Sequence, residues 1–555
     1  MCPKLIMLIL AAALTETAAI TESDLHNLYD VTEVSGIDFV HNNGRFISDD
    51  GSPSRFMPET MGGGVIIFDC DNDHLPDVFL VNGTSLRAGE NSATPSALFH
   101  NLGGMRFEKI PQGSALKTRI YGMGGAAADY DGDGDTDLVI TSLNGLHLLE
   151  NDQCHFTDKT QERGLSSVST TPTSGPWLTA VAIFDADGDG DLDILASEYV
   201  RWTRRNNIHT TYDGFNKGYT SPKAYQGGEM WLWLQNQSRH FELQKNGLEL
   251  IEPGKALGLA LWDFDSDGLL DVLVANDTVP TALFKNWGEG RFTDIANAAG
   301  IAYAQDGTAR AGMGVDIGDL FNEGRPWVAI GNFSQEPTSI FKMHKNLQFT
   351  EVTDTTGVFQ PSYPVLTFGL VMVDLDLDGW LDIVQANGHV EPRISEAFSN
   401  QRYRQPMQLF INNRKGGFIE NHNVSQALAK PMAGRGLAVA DFDDDGDYDL
   451  LAVGNNDGVR LIENRIRPRP YLKIKLQGKF PNTSAIGARV KLKSACFTQT
   501  RFVRTAGSYL SQSEMTLLFG LPGGCGEYSL QVKWPSGSIF ELRNIEASQR
   551  LVLVE

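Results

Sequence analysis

Asp441-Phe442-Asp443-Asp444-Asp445-Gly446-Asp447-Tyr448-Asp449, set between the apolar runs Gly436-Leu437-Ala438-Val439-Ala440 and Leu450-Leu451-Ala452-Val453, is the stretch that decides the fold. Its carboxylates stand at positions 1, 3, 5 and 9 with glycine at position 6. An Asp every second residue, followed by a residue that tolerates positive φ, curls the chain so that hard oxygen ligands converge on one cation. The flanks are apolar and β-branched, and read as strands rather than the helices that bracket an EF-hand. The expectation is a Ca²⁺ staple between two β-strands.

Working outward, the phrase recurs with Asp at all four positions at Asp69, Asp71, Asp73 and Asp77; Asp129, Asp131, Asp133 and Asp137; Asp185, Asp187, Asp189 and Asp193; Asp263, Asp265, Asp267 and Asp271; and Asp374, Asp376, Asp378 and Asp382, besides Asp441, Asp443, Asp445 and Asp449. The first copy carries His74 where glycine is preferred, a mild departure because His visits positive φ more readily than most residues. A worn copy starts at Asp319, where Phe321 and Trp327 replace the second and fourth carboxylates. Starts at 69, 129, 185, 263, 319, 374 and 441 give spacings of 60, 56, 78, 56, 55 and 67 residues, room for four short strands and their turns. A second phrase, Leu98-Phe99-His100-Asn101 through Phe107, is echoed at Leu283 to Phe292, Ile340 to Phe349 and Leu409 to Phe418, and reads as a hairpin.

The two ends fit together. Tyr29-Asp30-Val31-Thr32 to Gly36-Ile37 matches Phe292-Thr293-Asp294-Ile295 to Gly300-Ile301, the tail of a unit, whereas the last unit stops at Leu461-Ile462-Glu463-Asn464 without one. An N-terminal strand that completes the last unit closes a ring of sheets. This selects an all-β, seven-bladed β-propeller over residues 25–464, rather than an open solenoid that needs polar caps.

Hydrophobic residues make up 41% of the 555, and charged ones 21%, ordinary for a globular protein. The net charge of -23 is not ordinary, and argues against nucleic acid, whose phosphates need clustered Lys and Arg. Met1 to Ala19 reads as a signal peptide, with Lys4, the apolar Leu5 to Leu14 and the small residues Thr17-Ala18-Ala19. No later stretch is apolar enough for a transmembrane anchor. The localisation implied is secreted or extracellular, periplasmic or at the cell surface in a bacterium. Among the five cysteines Cys2 falls in the signal, Cys496 and Cys525 lie in one module where the sequence leaves a pairing open, and Cys70 reads as a buried free thiol.

After a short basic linker at 465–470, residues 471–555 alternate in strand fashion, as in Tyr471-Leu472-Lys473-Ile474-Lys475-Leu476 and Tyr528-Ser529-Leu530-Gln531-Val532-Lys533-Trp534, and predict a small C-terminal antiparallel β-sandwich. The loops, several entered through Gly-rich strands such as Met61-Gly62-Gly63-Gly64-Val65, resemble FG-GAP (VCBS-type) repeats. Ile486-Gly487-Ala488-Arg489-Val490, Gly507-Ser508-Tyr509-Leu510-Ser511-Gln512 and Val532-Lys533-Trp534-Pro535-Ser536-Gly537 resemble the ASPIC/UnbV module. Together they are similar to the cartilage acidic protein family, which implies a secreted propeller of the integrin-α kind with Ca²⁺ in its blade loops. The EGF-like cysteine pairs expected of vertebrate members do not follow Glu555.

The six complete loops are the candidate metal sites, about six structural Ca²⁺ ions in all, because carboxylate-only donors suit Ca²⁺ better than a transition metal. The longest spacing holds the candidate ligand surface: Arg201, Trp202, Arg204, Arg205, Tyr219, Lys223 and Tyr225, aromatic and basic on an acidic chain. The function this supports is an extracellular binding or adhesion module for a protein or glycan ligand. The alternative is an enzyme or biosynthetic assembly factor with its site at the propeller mouth, where His41, Glu59 and His389 flank strand ends. No nucleophile triad, zinc motif or phosphate loop supports the second. Asn82, Asn236, Asn276, Asn332, Asn423 and Asn482 fit the glycosylation acceptor pattern.

Overall fold

A computed structural model describes residues 27–48, 51–87, 95–111, 120–165, 175–211, 214–244, 247–249, 253–421, 426–466 and 469–555. The signal reading at 1–19, Asn423 and linker residues 467 and 468 lie outside them.

Loop 1 joins Val65–Phe68 to Asp77–Leu80, and the second phrase follows as the hairpin Ala97–Asn101 and Phe107–Lys109, giving four antiparallel neighbours in chain order. The two strands beside the loop are buried on both faces, which is why they read as continuous apolar runs rather than alternations. Among the described residues seven sheets repeat this pattern. Their first strands are Val65–Phe68, Gly122–Ala128, Leu178–Phe184, Ala256–Trp262, Gly312–Gly318, Thr367–Val373 and Gly434–Ala440; each packs against the next, and the last against the first. The molecule is a closed β-propeller, and the sheets are called blades 1 to 7 in that order. The seam closes as the chain ends foretell: Leu28–Asp30 is the outer strand of blade 7, Leu28 opposite Asn464 and Asp30 opposite Ile462.

The hairpin phrase carries a role its spacing does not show. Its last residue fastens one blade to the one before. Asn101 Nδ2 donates to Phe442 O, Asn151 to Cys70 O, Gln235 Nε2 to Tyr130 O, Asn286 to Ala186 O, Asn412 to Leu320 O and Asn464 to Leu375 O, at 2.7–3.1 Å. Each acceptor is the carbonyl at loop position 2 of the preceding blade. Blade 5 has Met343 at this place, so the clasp to blade 4 is missing where the loop itself is worn. Asn286 is fully buried and also donates to Leu270 O. Replacing it by Leu orphans two carbonyls and is expected to cost about 2–3 kcal/mol, read as a lower urea midpoint. An unchanged midpoint would show that the ladder carries no stability.

Cys70 is not a free thiol. It pairs with Cys154, Cα–Cα 5.0 Å, tying loop 1 to the outer turn of blade 2. Comparison of loop positions alone hides this, because the partner is 84 residues away and becomes a neighbour only when the blades close up. Cys496 and Cys525, which the sequence left free to pair or not, do pair.

The C-terminal residues form two sheets, Leu517–Gly520, Tyr471–Gln477 and Gln549–Val554 in one, Thr498–Phe502, Arg489–Lys493, Tyr528–Lys533 and Ile539–Ile545 in the other. The sandwich is not wholly antiparallel, since Tyr471–Gln477 pairs parallel with Gln549–Val554. Nor does it stand apart. Residues 505–513 run into the propeller axis. Thr505 Oγ1 accepts from Ile183 N and donates to Ile183 O, Ser508 N donates to Val315 O, and Ser508 Oγ accepts from Leu370 N. The Gln512 amide bonds both Ala127 N and Ala127 O, while its backbone pairs with Val65 O and Ile67 N. Ser513 Oγ accepts from Val439 N, and Ser508 O would lie 3.3 Å from a Cβ on Gly258, so inner strands of all seven blades meet this segment. A Cβ at Gly64 or Gly124 would sit 2.3 or 2.4 Å from Leu510 O, which gives a physical reason for the glycine-rich inner strands.

Candidate metal centres and the axial mouth

The seven loops fold by the same bonds, the worn one nearly so. The position-1 carboxylate takes the position-6 N–H on Oδ2, at 2.9–3.2 Å, from His74 to Asp69, Gly134 to Asp129, Gly190 to Asp185, Gly268 to Asp263, Gly324 to Asp319, Gly379 to Asp374 and Gly446 to Asp441. His74 adopts φ +75°, so it fills the glycine place as read. In the six complete loops the position-9 carboxylate accepts the position-2 N–H on one oxygen and the N–H of the clasp residue on the other, as Asp449 does from Phe442 and Asn464. Position 9 is therefore first a fastener between loop and third strand, and only its remaining lone pairs are left for an ion.

The donor set fits a hard cation. Asp69, Asp71 and Asp73, and likewise Asp263, Asp265 and Asp267, bring one oxygen each within 4.8 Å of one another; so do Asp129, Asp131 and Asp137, and Asp185, Asp187 and Asp193. Asp131 Oδ1, Asp263 Oδ1, Asp441 Oδ1 and Asp443 Oδ1 are buried without a hydrogen-bond partner among the described residues, whereas Asp376 Oδ2 faces the Arg469 guanidinium at 3.4 Å. An orphaned buried carboxylate oxygen is costly unless a cation meets it. Burial, then the neighbouring Asp378, pushes Asp376 up to about 7; burial, then Asp445 and Asp441, pushes Asp443 up to about 6. These are groups that ionise fully only beside a positive charge.

One contributor and one competitor escaped the spacing rule. Asp447, at loop position 7, is buried with Oδ1 unpartnered and is driven to about 10 by burial and by Asp445. In loops 1 and 4 the residue before the clasp leans over the loop: His100 Nδ1 lies 3.1 Å from Asp77 Oδ1, whereas the Lys285 ammonium, 2.6 Å from Asp265 and 2.5 Å from Asp267, is itself a cation that competes with a metal ion for those carboxylates. The signal was there, in the third letter of the hairpin phrase. In the worn loop the rings of Phe321 and Trp327 meet edge to face at 4.8 Å, filling the place of the two lost carboxylates.

Because each loop joins first to second strand, second strands end on the opposite face, and there the axial mouth is closed. Arg435 is fully buried; its guanidinium donates to Thr60 O, Gly388 O and Gly434 O and lies 3.8 Å from the Phe368 ring centroid. Burial and then this charge hold His41 down to about 3 and His389 to about 4, so both are neutral at physiological pH. His389 Nδ1 accepts from Glu391 N and His41 Nδ1 from Asn456 N, turn-stabilising bonds. Glu59 Oε2 accepts from Tyr219 OH at 2.9 Å, whereas His41 Nε2 and Glu59 Oε1 are buried without a partner among the described residues.

The long insertion lies on this same face, and four of its seven candidate ligand residues hold it down instead. Trp202 is buried, its ring 5.9 Å from Phe56 and 6.0 Å from Trp177. Tyr225 is buried and its hydroxyl accepts from Ile208 N; Tyr219 is half-buried on Glu59, and Arg204 lies half-buried over Phe56. Aromatic residues in a polar stretch signalled a local core. Arg201, Arg205 and Lys223 remain exposed, Arg201 paired with Glu229. Of the glycosylation candidates, Asn82, Asn276, Asn332 and Asn482 are buried with their amides bonded to Pro95, Pro280, Pro337 and Ile486 carbonyls, so they are structural; Asn236 is half-exposed.

A closed ring of acidic-loop blades stoppered by its own C-terminal residues defines an FG-GAP-type β-propeller with an ASPIC/UnbV domain. Family models match parts of the chain: FG-GAP-like repeat at residues 69–140, 129–196 and 263–330, and ASPIC and UnbV at residues 478–555. It is 28% identical over 505 residues to Cartilage acidic protein 1 of Xenopus tropicalis, covering 78% of this chain and 73% of that protein. To the Homo sapiens protein of the same name it is 27% identical over 309 residues, 54% of this chain and 43% of that one, so it spans under half of the human relative. Among solved structures, an Agrocybe aegerita lectin specific for non-reducing terminal N-acetylglucosamine aligns at 14% identity with TM-score 0.40, over 73% of this chain and 92% of the lectin. A COPII outer-coat chain aligns at 11% with TM-score 0.41, over 87% and 98%. Neither likeness bears on function. No helix among the described residues is long and apolar enough to cross a membrane.

Proposed function

We propose that the protein is an exported, Ca²⁺-stabilised propeller that binds an extracellular protein or glycan through the face bearing the insertion. Side chains at positions 1, 3 and 5 of the six complete loops would hold the ions, with position 9 and Asp447 assisting, and the ions act as architecture. The observation that carries the binding reading is the insertion: pinned by Trp202, Tyr219 and Tyr225, it presents Arg205, Lys223 and Phe215, the last 92% exposed, on a chain of net charge -23. Loops presented on a rigid scaffold are where binding resides.

A glycan and extracellular-protein array, probed with and without Ca²⁺, tests this. Arg205→Glu with Lys223→Glu is expected to abolish capture while leaving the melting temperature within a degree or two, because both residues are exposed. Capture undiminished in that variant removes the reading. His41 Nε2 and Glu59 Oε1, buried and without a hydrogen-bond partner among the described residues, favour the second reading, an enzyme or assembly factor acting at the mouth. Loss of all activity in His41→Ala and Glu59→Gln, with capture by the insertion variant intact, would select it.

A further inference from the structure

The C-terminal domain covers the loop-bearing face and grips one particular atom there. Lys473 Nζ donates to Asp441 Oδ2 at 2.8 Å, Lys475 Nζ to Asp69 Oδ2 at 3.1 Å, Gly520 N to Asp374 Oδ2 at 3.1 Å, and the Thr483 hydroxyl to Asp129 Oδ2. In loops 1, 2, 6 and 7, therefore, the domain binds the position-1 carboxylate through the same oxygen that already takes the position-6 N–H. The opposite oxygen faces into the loop: Asp441 Oδ1 and Asp69 Oδ1 are buried and have no partner among the described residues, whereas Asp129 Oδ1 accepts from Gly132 N and Asp133 N and Asp374 Oδ1 from Asp378 N.

The geometry points to a cation-locked stopper, in which four position-1 carboxylates each ligate an ion with the inner oxygen and hold the C-terminal domain with the outer one. Ion binding and docking of the domain are then one cooperative event. The inference rests on the Ca²⁺ reading of the loops. Its physical basis is orientation: an ion on Oδ1 fixes the carboxylate's rotation and so aims Oδ2 at Lys473 or Lys475, while a docked lysine pre-orients Oδ1 for the ion. Outer-shell partners of ligating carboxylates tune metal affinity in this way, and the coupling must be equal in both directions. Because residues 505–512 enter the axis from the same domain, releasing the four grips also loosens the axial segment.

Hydrogen exchange on the full chain tests it. Amides of 505–514 are expected to exchange at least about tenfold faster in excess EGTA than in millimolar Ca²⁺, together with loops 1, 2, 6 and 7. The triple variant Lys473→Met, Lys475→Met, Thr483→Val keeps every loop carboxylate and should bind Ca²⁺ roughly 10–100-fold more weakly by calorimetry. Lys479→Met, whose partner is Glu555 at 3.9 Å, should bind as the wild type does. Calorimetry that detects no Ca²⁺ binding to the wild type overturns the loop reading itself. Ca²⁺ binding with equal protection of 505–514 in EGTA, or with wild-type affinity in the triple variant, overturns the coupling alone. If the triple variant does not fold, the wild-type exchange comparison decides.

Discussion

Transfer from millimolar Ca²⁺ into excess EGTA is expected to lower the melting temperature by roughly 15 °C. A site filled at a hundredfold above its Kd adds about 2.7 kcal/mol, so even three independent sites give about 8 kcal/mol, and a large domain shifts about 2 °C per kcal/mol. The pH dependence gives a second, sharper signature. Without a cation, burial holds Asp185 near 6 and Asp376 near 7, above the ordinary carboxylate range. The folded state then keeps protons that the unfolded chain has released, so its stability is fully present below about pH 4 and is lost as pH rises through 6 to 7. In Ca²⁺ the sign reverses, because the ion requires the ionised carboxylates. The gap between the two melting curves should therefore be small at pH 4 and widest at pH 7. A melt indifferent to EGTA at pH 7 would remove the ions from the account of the fold.

A chain ending at Asn464 is expected to lose a comparable amount. Inner-strand amides of Val65, Ile67, Ala127, Ile183, Val315, Leu370 and Val439 all donate to residues 505–513. At about 1 kcal/mol each, allowing water into the emptied axis, their loss is worth about 7 kcal/mol. Loss of the apolar contacts of Tyr509, whose ring meets Phe368 at 4.8 Å, adds to this. The truncated propeller should aggregate or melt broadly, at least about 10 °C lower. A cooperative melt at the full-length temperature would show that the propeller is autonomous and its stopper dispensable. Gln512→Leu is the milder probe: it removes both bonds to Ala127 and should cost about 2–3 kcal/mol.

Most of the propeller was legible because its signals are local. Four spaced carboxylates and a position-6 residue at positive φ require only a turn of nine residues, and a missing strand at one end is matched by a spare strand at the other. The candidate ligand surface was less legible. Trp202 and Tyr225 look alike in sequence whether they face solvent or pack on Phe56 and beneath Ile208, and only the neighbouring segments decide. The same holds for Asn82, Asn276, Asn332 and Asn482, whose acceptor pattern is satisfied by sequence while their amides are spent on buried carbonyls.

By itself, then, the phrase at Asp441 to Asp449 determined a blade, and its recurrence a ring closed by Leu28–Asp30. Tertiary structure alone decided that Cys70 finds Cys154, that position 9 fastens the loop to the third strand, and that the C-terminal domain stoppers the axis. The physical reason is range. A cation loop is specified by dihedral preferences and ligand spacing within nine residues, whereas the bonds from Lys473 to Asp441 and from Gln512 to Ala127 join atoms 32 and 385 residues apart, brought together only when every blade is in place.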